Sequence, residues 1–284
     1  MTILVTGASG HLGRLVVESL LERGVPAQDV VATARNLESI ADLAAAGVVV
    51  RRADYTDPVS LKEAFDGVDR ALLVSSSEIG QRAEQHRNVI DAAADAGVSL
   101  LAYTSIAKAD STSILLAGEH QETEQYLLAS GLPVALLRNN WYIENYTGQI
   151  PIALEHGAVL GATGEGRVSA ATRADYAAAA AAVLTLDDQA GKVYELGGTP
   201  FTLAEYAAEL STQTGQPVVY QDLPTDEYAA VLVGAGLPDA VAAIYADSDR
   251  GIKAGDLLVD SGDLEQLIGR PSTPLADAIK TQLG

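Results

Sequence analysis

Residues 3–13 read Ile3-Leu4-Val5-Thr6-Gly7-Ala8-Ser9-Gly10-His11-Leu12-Gly13. A short apolar run leads into three glycines spaced three apart, and Leu12, Leu15, Val16 and Leu20 then repeat at helical intervals. A strand, a glycine turn and a helix in immediate succession make an anion cradle. Side chains at positions 7 and 10 would keep a phosphate away from the backbone N–H groups, and the helix N-terminus adds partial positive charge. Gly13 lets the helix pack close to the strand. The stretch predicts the first βα unit of a dinucleotide-binding domain, with Gly7, Ser9, Gly10, His11, Leu12 and Gly13 contacting the cofactor.

The rhythm continues outward from this unit. Apolar runs at 30–34, 48–51, 71–74, 100–104 and 134–137 alternate with helical patterns at 37–46, 58–65, 81–96 and 117–130. Gly24, Gly47, Gly97 and Gly131 follow helical patterns where left-handed caps are usual. Continuous apolar strands separated by helices predict a doubly wound parallel sheet, the Rossmann class of α/β fold, over residues 1–145. Beyond 145 the alternation breaks, with helices expected at 174–186, 203–214, 226–233, 240–247 and 275–282 and short strands at 159–160, 193–196 and 218–220. Residues 146–284 are read as a smaller, mostly helical substrate region closing the cleft, with the sheet free to recruit later segments.

Composition bounds the function. The chain has 284 residues, 48% of them apolar, and 18 basic against 38 acidic side chains give a formal net charge of −20. Most of such a surface repels nucleic acid and anionic membranes. No signal segment and no span long enough to cross a bilayer are visible. With no cysteine there are no disulfides, thiolate metal sites or cysteine nucleophiles. The expectation is a cytoplasmic protein, monomer or homodimer, with neither nucleic-acid nor membrane partner. The four histidines, at 11, 86, 120 and 156, have no metal-ligand spacing, so no metal is expected. No nucleophile elbow or Walker loop occurs.

The second strand selects the cofactor. It ends Ala34-Arg35-Asn36, 22 residues past Gly13, where an NAD site commonly carries an acid for the ribose hydroxyls. A guanidinium there suits a 2′-phosphate instead, so NADP(H) is expected, bound by Arg35. Asp54 is placed either to reach the adenine edge or to cap a turn. Ser75, Ser76 and Ser77 follow the fourth strand at the carboxyl edge, where open α/β sheets bind ligands, and are read as cofactor-lining. Tyr103 and Ser105, ending the fifth strand, are read as contacts near the nicotinamide ribose or as plain strand-end residues.

With these residues the chain resembles the short-chain dehydrogenase/reductase superfamily, in its NmrA-like branch. Adding residues 75–82 (SSSEIGQR), 85–90 (QHRNVI), 138–142 (RNNWY), 171–176 (ATRADY) and 192–196 (KVYEL) makes it similar to the type 2 NAD(P)H:quinone oxidoreductases over nearly its whole length. The resemblance implies two-electron reduction of a small quinone by direct hydride transfer from NADPH, without flavin. It also implies that Asn139, Asn140, Trp141 and Tyr142 line the nicotinamide end. Trp141 and Tyr142, extended by Tyr146, offer flat faces for an aromatic acceptor or else staple the small region to the sheet. His86 is read as facing this acceptor or as lying on a helix surface. The superfamily's Tyr-x-x-x-Lys pair is absent, with Leu116 and His120 in those places, so no catalytic side chain is expected. The alternative is a non-catalytic NADP(H) sensor of the NmrA type, which lacks the same pair.

Overall fold

The computed structural model describes residues 1–284. Its central sheet is built from β1 (Ile3–Val5), β2 (Val30–Ala34), β3 (Val49–Arg52), β4 (Arg70–Leu73), β5 (Leu100–Ile106), β6 (Val134–Asn139) and, after β7 (Ala158–Gly161), β8 (Val193–Leu196). These seven strands lie in the order β3-β2-β1-β4-β5-β6-β8, and every pairing is parallel. The order reverses between β1 and β4, and this switch point opens a crevice at the carboxyl edge. β1, β2, β5 and β6 are buried along their whole length, as continuous apolar runs require.

The helices of the first part are α1 (His11–Glu22), α2 (Ala41–Ala45), α3 (Pro58–Ala64), α4 (Arg82–Ala96) and α5 (Ala117–Ala129). Those of the second are α6 (Glu144–Thr147), α7 (Ile150–His156), α8 (Arg173–Thr185), α9 (Leu203–Thr214), α10 (Thr225–Gly234), α11 (Asp239–Ala254), α12 (Asp263–Ile268) and α13 (Leu275–Leu283). α3, α4 and α5 cover one face of the sheet around Phe65, Val89, Ile90 and Leu127. α1 and α8 cover the other, where Val16, Val17 and Leu20 pack with Ala177, Ala180, Ala181 and Leu184. Alanines let α8 lie close to both α1 and the sheet. Segments after 145 therefore complete the dinucleotide-binding layers, with α8 as a covering helix and β8 as the seventh strand. A separate core forms around Ile143, Tyr146, Phe201, Tyr206 and Leu257, beside the parallel pair of β7 and β9 (Val219–Asp222). No helix is long and apolar enough to cross a membrane.

Gly24, Gly47, Gly97 and Gly131 all take positive φ. α6, α7 and α12 were not expected, since one or two turns are too short to show a period. α11 continues seven residues past its predicted end, through Ser248 and Asp249, both buried. Its Gly251 admits Ile114, whose Cγ1 would lie 2.5 Å from an added Cβ.

One ionic knot ties the carboxyl edge together. Arg138 on β6 donates through Nε and Nη2 to both oxygens of Glu124 on α5, at 3.1 and 2.8 Å. Its Nη1 reaches Asp110 and Glu195 on β8, each at 2.9 Å. Glu124 is nearly sealed from solvent and also accepts from Ser105 Oγ. Removing the arginine leaves that carboxylate buried without its counter-charge, so Arg138→Met is expected to cost about 3–5 kcal/mol in urea unfolding. A loss under about 1 kcal/mol would show that the knot contributes little.

Candidate functional site

The loop after β1 is shaped by backbone contact. Gly7 has φ +62°, and a Cβ on Gly13 would stand 2.4 Å from the Gly7 carbonyl oxygen. A Cβ on Gly10 would meet the same oxygen at 3.3 Å. Gly10 caps α1 without any side-chain hydrogen bond, so the helix's first-turn N–H groups remain available. This cradle fits a phosphate. It forms one wall of a cleft of about 690 Å³ that runs along the switch point.

At one end stand Arg35, Asp54 and Tyr55. Arg35 is 71% exposed, and its one protein partner is Glu78, reached by Nη1 at 2.9 Å. The Asp54 carboxylate accepts from Thr56 N–H at 3.0 Å, which holds it below its ordinary range. The turn-capping role expected for Asp54 is thus present, and the residue also borders the cleft. Tyr55, not anticipated from sequence, donates its hydroxyl to Val74 O at 2.8 Å and touches Thr6 Oγ1, bracing β1 against β4.

Ser75, Ser76 and Ser77 line the middle of the cleft. Their loop is anchored from beneath by His86. Ser76 N–H donates to His86 Nε2 at 2.9 Å, which assigns the imidazole proton to Nδ1, 3.0 Å from Thr123 Oγ1. His86 is fully buried and faces neither solvent nor the cleft, so it is not an acceptor contact. Burial, with the nearby Arg82 charge, pulls its pKa down to about 3.

Tyr103 is likewise no cofactor contact. Its ring is fully buried beside His86, and its hydroxyl lies 2.7 Å from His120 Nδ1. Thr123 is a second hydrogen-bonding neighbour of that hydroxyl. Burial pulls the His120 pKa well below its ordinary value, and Arg82 adds to the shift. Leu116, Ser105 and His120 do line the cleft.

At the inner end are Asn139, Asn140, Trp141 and Tyr142. Asn139 Oδ1 is buried with no hydrogen-bond partner. Asn140 is already committed, donating to Leu257 O at 3.0 Å and accepting from Trp141 N–H at 2.7 Å. Trp141 meets Tyr245 of α11 edge to face at 6.1 Å, and Arg173 lies 4.4 Å above the Tyr142 ring. Tyr146 turns away from the cleft. Its ring packs with Phe201 and Tyr206 at 5.9 Å in the small region's core, so it does not extend the aromatic wall. Tyr245, Val241 and Ile244 occupy that position instead.

Sequence reasoning also missed Arg82, a largely buried arginine whose Nε donates to Ser76 O at 2.7 Å while Nη1 makes no hydrogen bond and lies 3.5 Å from Glu119 Oε2. Its place in the quoted 75–82 stretch was the available signal. Tyr245 had none, since nothing local marks it. No group of histidine or acidic residues has the geometry of a metal site.

The family described as NAD(P)H-binding matches residues 7–187. Quinone oxidoreductase 2 of Escherichia coli (strain K12) is 52% identical over 278 residues, covering 98% of this chain and 97% of its own. The structure of an E. coli NADPH-dependent quinone oxidoreductase complexed with NADPH superposes with a TM-score of 0.97 at 51% identity, covering both chains completely. Citrobacter sp. triphenylmethane reductase complexed with NADP(H) superposes at 0.94 with 39% identity, over 99% of this chain and 100% of that one.

His86 gives the site a pH signature. Its pKa, depressed to about 3 from an ordinary 6.5, means that folding excludes a proton. The stability it contributes is complete above pH 6.5 and is lost as pH falls toward 3. Replacing it by Gln should lower stability at pH 7 yet flatten the decline between pH 6.5 and 4, read as urea midpoints. Parallel declines in the two proteins would show that His86 is not held neutral.

Proposed function

The chain belongs to the NAD(P)H-binding family, and from that membership we propose that it reduces small quinones by two-electron hydride transfer from NADPH, without flavin. The observation that carries the reading is its full-length relationship to the E. coli quinone oxidoreductase. The cleft supplies the matching chemistry.

Each stretch of the cleft has a task in this reading. The amides of the glycine loop and the first turn of α1 hold the pyrophosphate. Arg35 answers the 2′-phosphate, and residues 75–77 back the cofactor's middle. Asn139 Oδ1, buried without a protein partner, would accept from an amide N–H of the nicotinamide end. When bound, NADPH supplies the hydride. Trp141, Tyr142 and Tyr245 give the acceptor ring apolar faces, which sets distance and orientation.

Hydride addition leaves negative charge on the acceptor oxygen, and the chain meets it with fixed groups. The Arg82 guanidinium is permanently charged, and His120, held neutral by burial, borders the same cleft. Neither needs to give up a proton, because water protonates a hydroquinone anion readily. The missing Tyr-x-x-x-Lys pair is therefore no handicap with this class of acceptor. A cytoplasmic setting fits a reaction that consumes NADPH and a chain without cysteine.

Steady-state oxidation of NADPH with 1,4-benzoquinone tests the proposal. Turnover that saturates in both substrates, with one NADPH consumed per quinone reduced and no added flavin, is expected. Tight NADPH binding with no quinone-dependent turnover would instead make the chain a dinucleotide sensor. Trp141→Ala is expected to lower kcat/KM for the quinone about tenfold, with NADPH affinity unchanged. A lower melting temperature at unchanged turnover would assign Trp141 to packing alone.

A further inference from the structure

Arg35 and Glu78 come from opposite sides of the first strand. Arg35 follows β2 and Glu78 follows β4, the two neighbours of β1 in the sheet. Their 2.9 Å ion pair therefore spans the mouth of the cleft above the glycine loop. The two ends of this clasp are built differently. Glu78 Oε2 accepts from Gln85 Nε2 at 2.8 Å, and Glu78 N–H donates to Ser76 Oγ at 3.1 Å. Ser76 Oγ in turn bonds Gln85 Oε1, and Ser76 N–H is fixed by buried His86. Glu78 is thus anchored to α4 through two side chains. Arg35 has no second hydrogen bond and sits largely in solvent.

We propose that Glu78 is a tethered competitor for the 2′-phosphate subsite, an acid that occupies Arg35 and so limits how strongly the chain prefers NADPH over NADH. The inference rests on the assignment of Arg35 to the 2′-phosphate given above. An anchored carboxylate within hydrogen-bond reach of that guanidinium places a negative charge beside an incoming dianion. The phosphate must either displace Glu78 from Nη1 or share the arginine with it, and repulsion opposes both. NADH has a hydroxyl at this position and meets no such opposition.

The other charges nearby do not substitute for Glu78. The Asp54 carboxylate lies close enough to feel the Arg35 charge, but its Oδ1 is held by Thr56 N–H and Oγ1 and it makes no ion pair with Arg35. Arg52 is paired with Asp57 at 2.9 Å. Glu78 is 37% exposed, so solvent and salt temper the effect without abolishing it.

Glu78→Gln keeps the shape and the bond from Gln85 while removing the charge. Calorimetric titration with NADP+, NAD+, 2′,5′-ADP and 5′-ADP reads binding without turnover. NADP+ and 2′,5′-ADP are expected to bind about 3–10-fold tighter at low ionic strength, with NAD+ and 5′-ADP within about twofold. The gain should shrink in 0.3 M salt, where the Debye length falls to roughly 6 Å. Unchanged or weaker NADP+ binding overturns the proposal, because Glu78 would then be neutral or would position Arg35. Glu78→Ala, checked for an unchanged melting temperature, repeats the test without the Gln85 bond. Arg35→Ala separates the two levels of inference. If it weakens NADP+ and NAD+ equally, the 2′-phosphate assignment itself fails. If it is selective while both Glu78 variants are neutral, only the competitor fails.

Discussion

Backbone meets backbone where the first strand turns into the first helix. An added Cβ on Gly13 would lie 2.4 Å from the Gly7 carbonyl oxygen and 3.0 Å from that of Thr6. No side chain at position 13 is compatible with that approach, and the approach sets where α1 begins. Where α1 begins decides where its unpaired amides point. The crevice at the switch point, the loop after β4 and the inner wall formed by residues 139–142 are useful because they surround that fixed anion cradle. α8 serves the same constraint from behind, since its buried alanines let it lie against α1 without pushing it off the sheet.

Features governed by local chemistry were legible in the sequence. Most apolar runs became buried parallel strands, with β3 half-buried at the sheet edge, the four cap glycines took left-handed conformations, and the glycine loop, Arg35 and residues 75–77 all border one cleft. Even the substitution of the superfamily's catalytic pair by Leu116 and His120 could be placed, and both residues line the cleft. The fold was readable there because strand, turn and helix each impose a short-range pattern that one sequence displays.

What was not legible depends on partners distant in sequence. His86, Tyr103 and Tyr146 sit on elements that touch the cleft, yet each side chain points the other way. His86 is held by Ser76 and Thr123, Tyr103 by His120, and Tyr146 by Phe201 and Tyr206. A helix or strand position gives no rotamer, and polar aromatic residues satisfy buried partners as readily as they meet ligands. Tyr245 shows the converse. It completes the aromatic wall from a helix a hundred residues downstream, and only tertiary packing against Trp141 brings it there.

Net charge is the property most easily misread. At −20 the chain as a whole repels a phosphorylated dinucleotide, but the potential that a ligand feels is set by the groups within a Debye length of it. Along the cleft those groups are Arg35, Arg82 and Arg173 against Asp54 and Glu78, with Glu119 3.5 Å from Arg82, Glu144 3.6 Å from Arg173, and helix and loop amides added. The arginines also have distinct anchors. Arg82 is bonded to the serine loop and Arg173 lies over Tyr142, so both charges are fixed before any ligand arrives. Arg35 alone is free apart from its clasp with Glu78. Local guanidinium and amide donors can therefore receive an anion within an acidic surface. The surface acids are mostly solvated and screened, whereas the buried arginine charge acts at short range in a medium that screens it little.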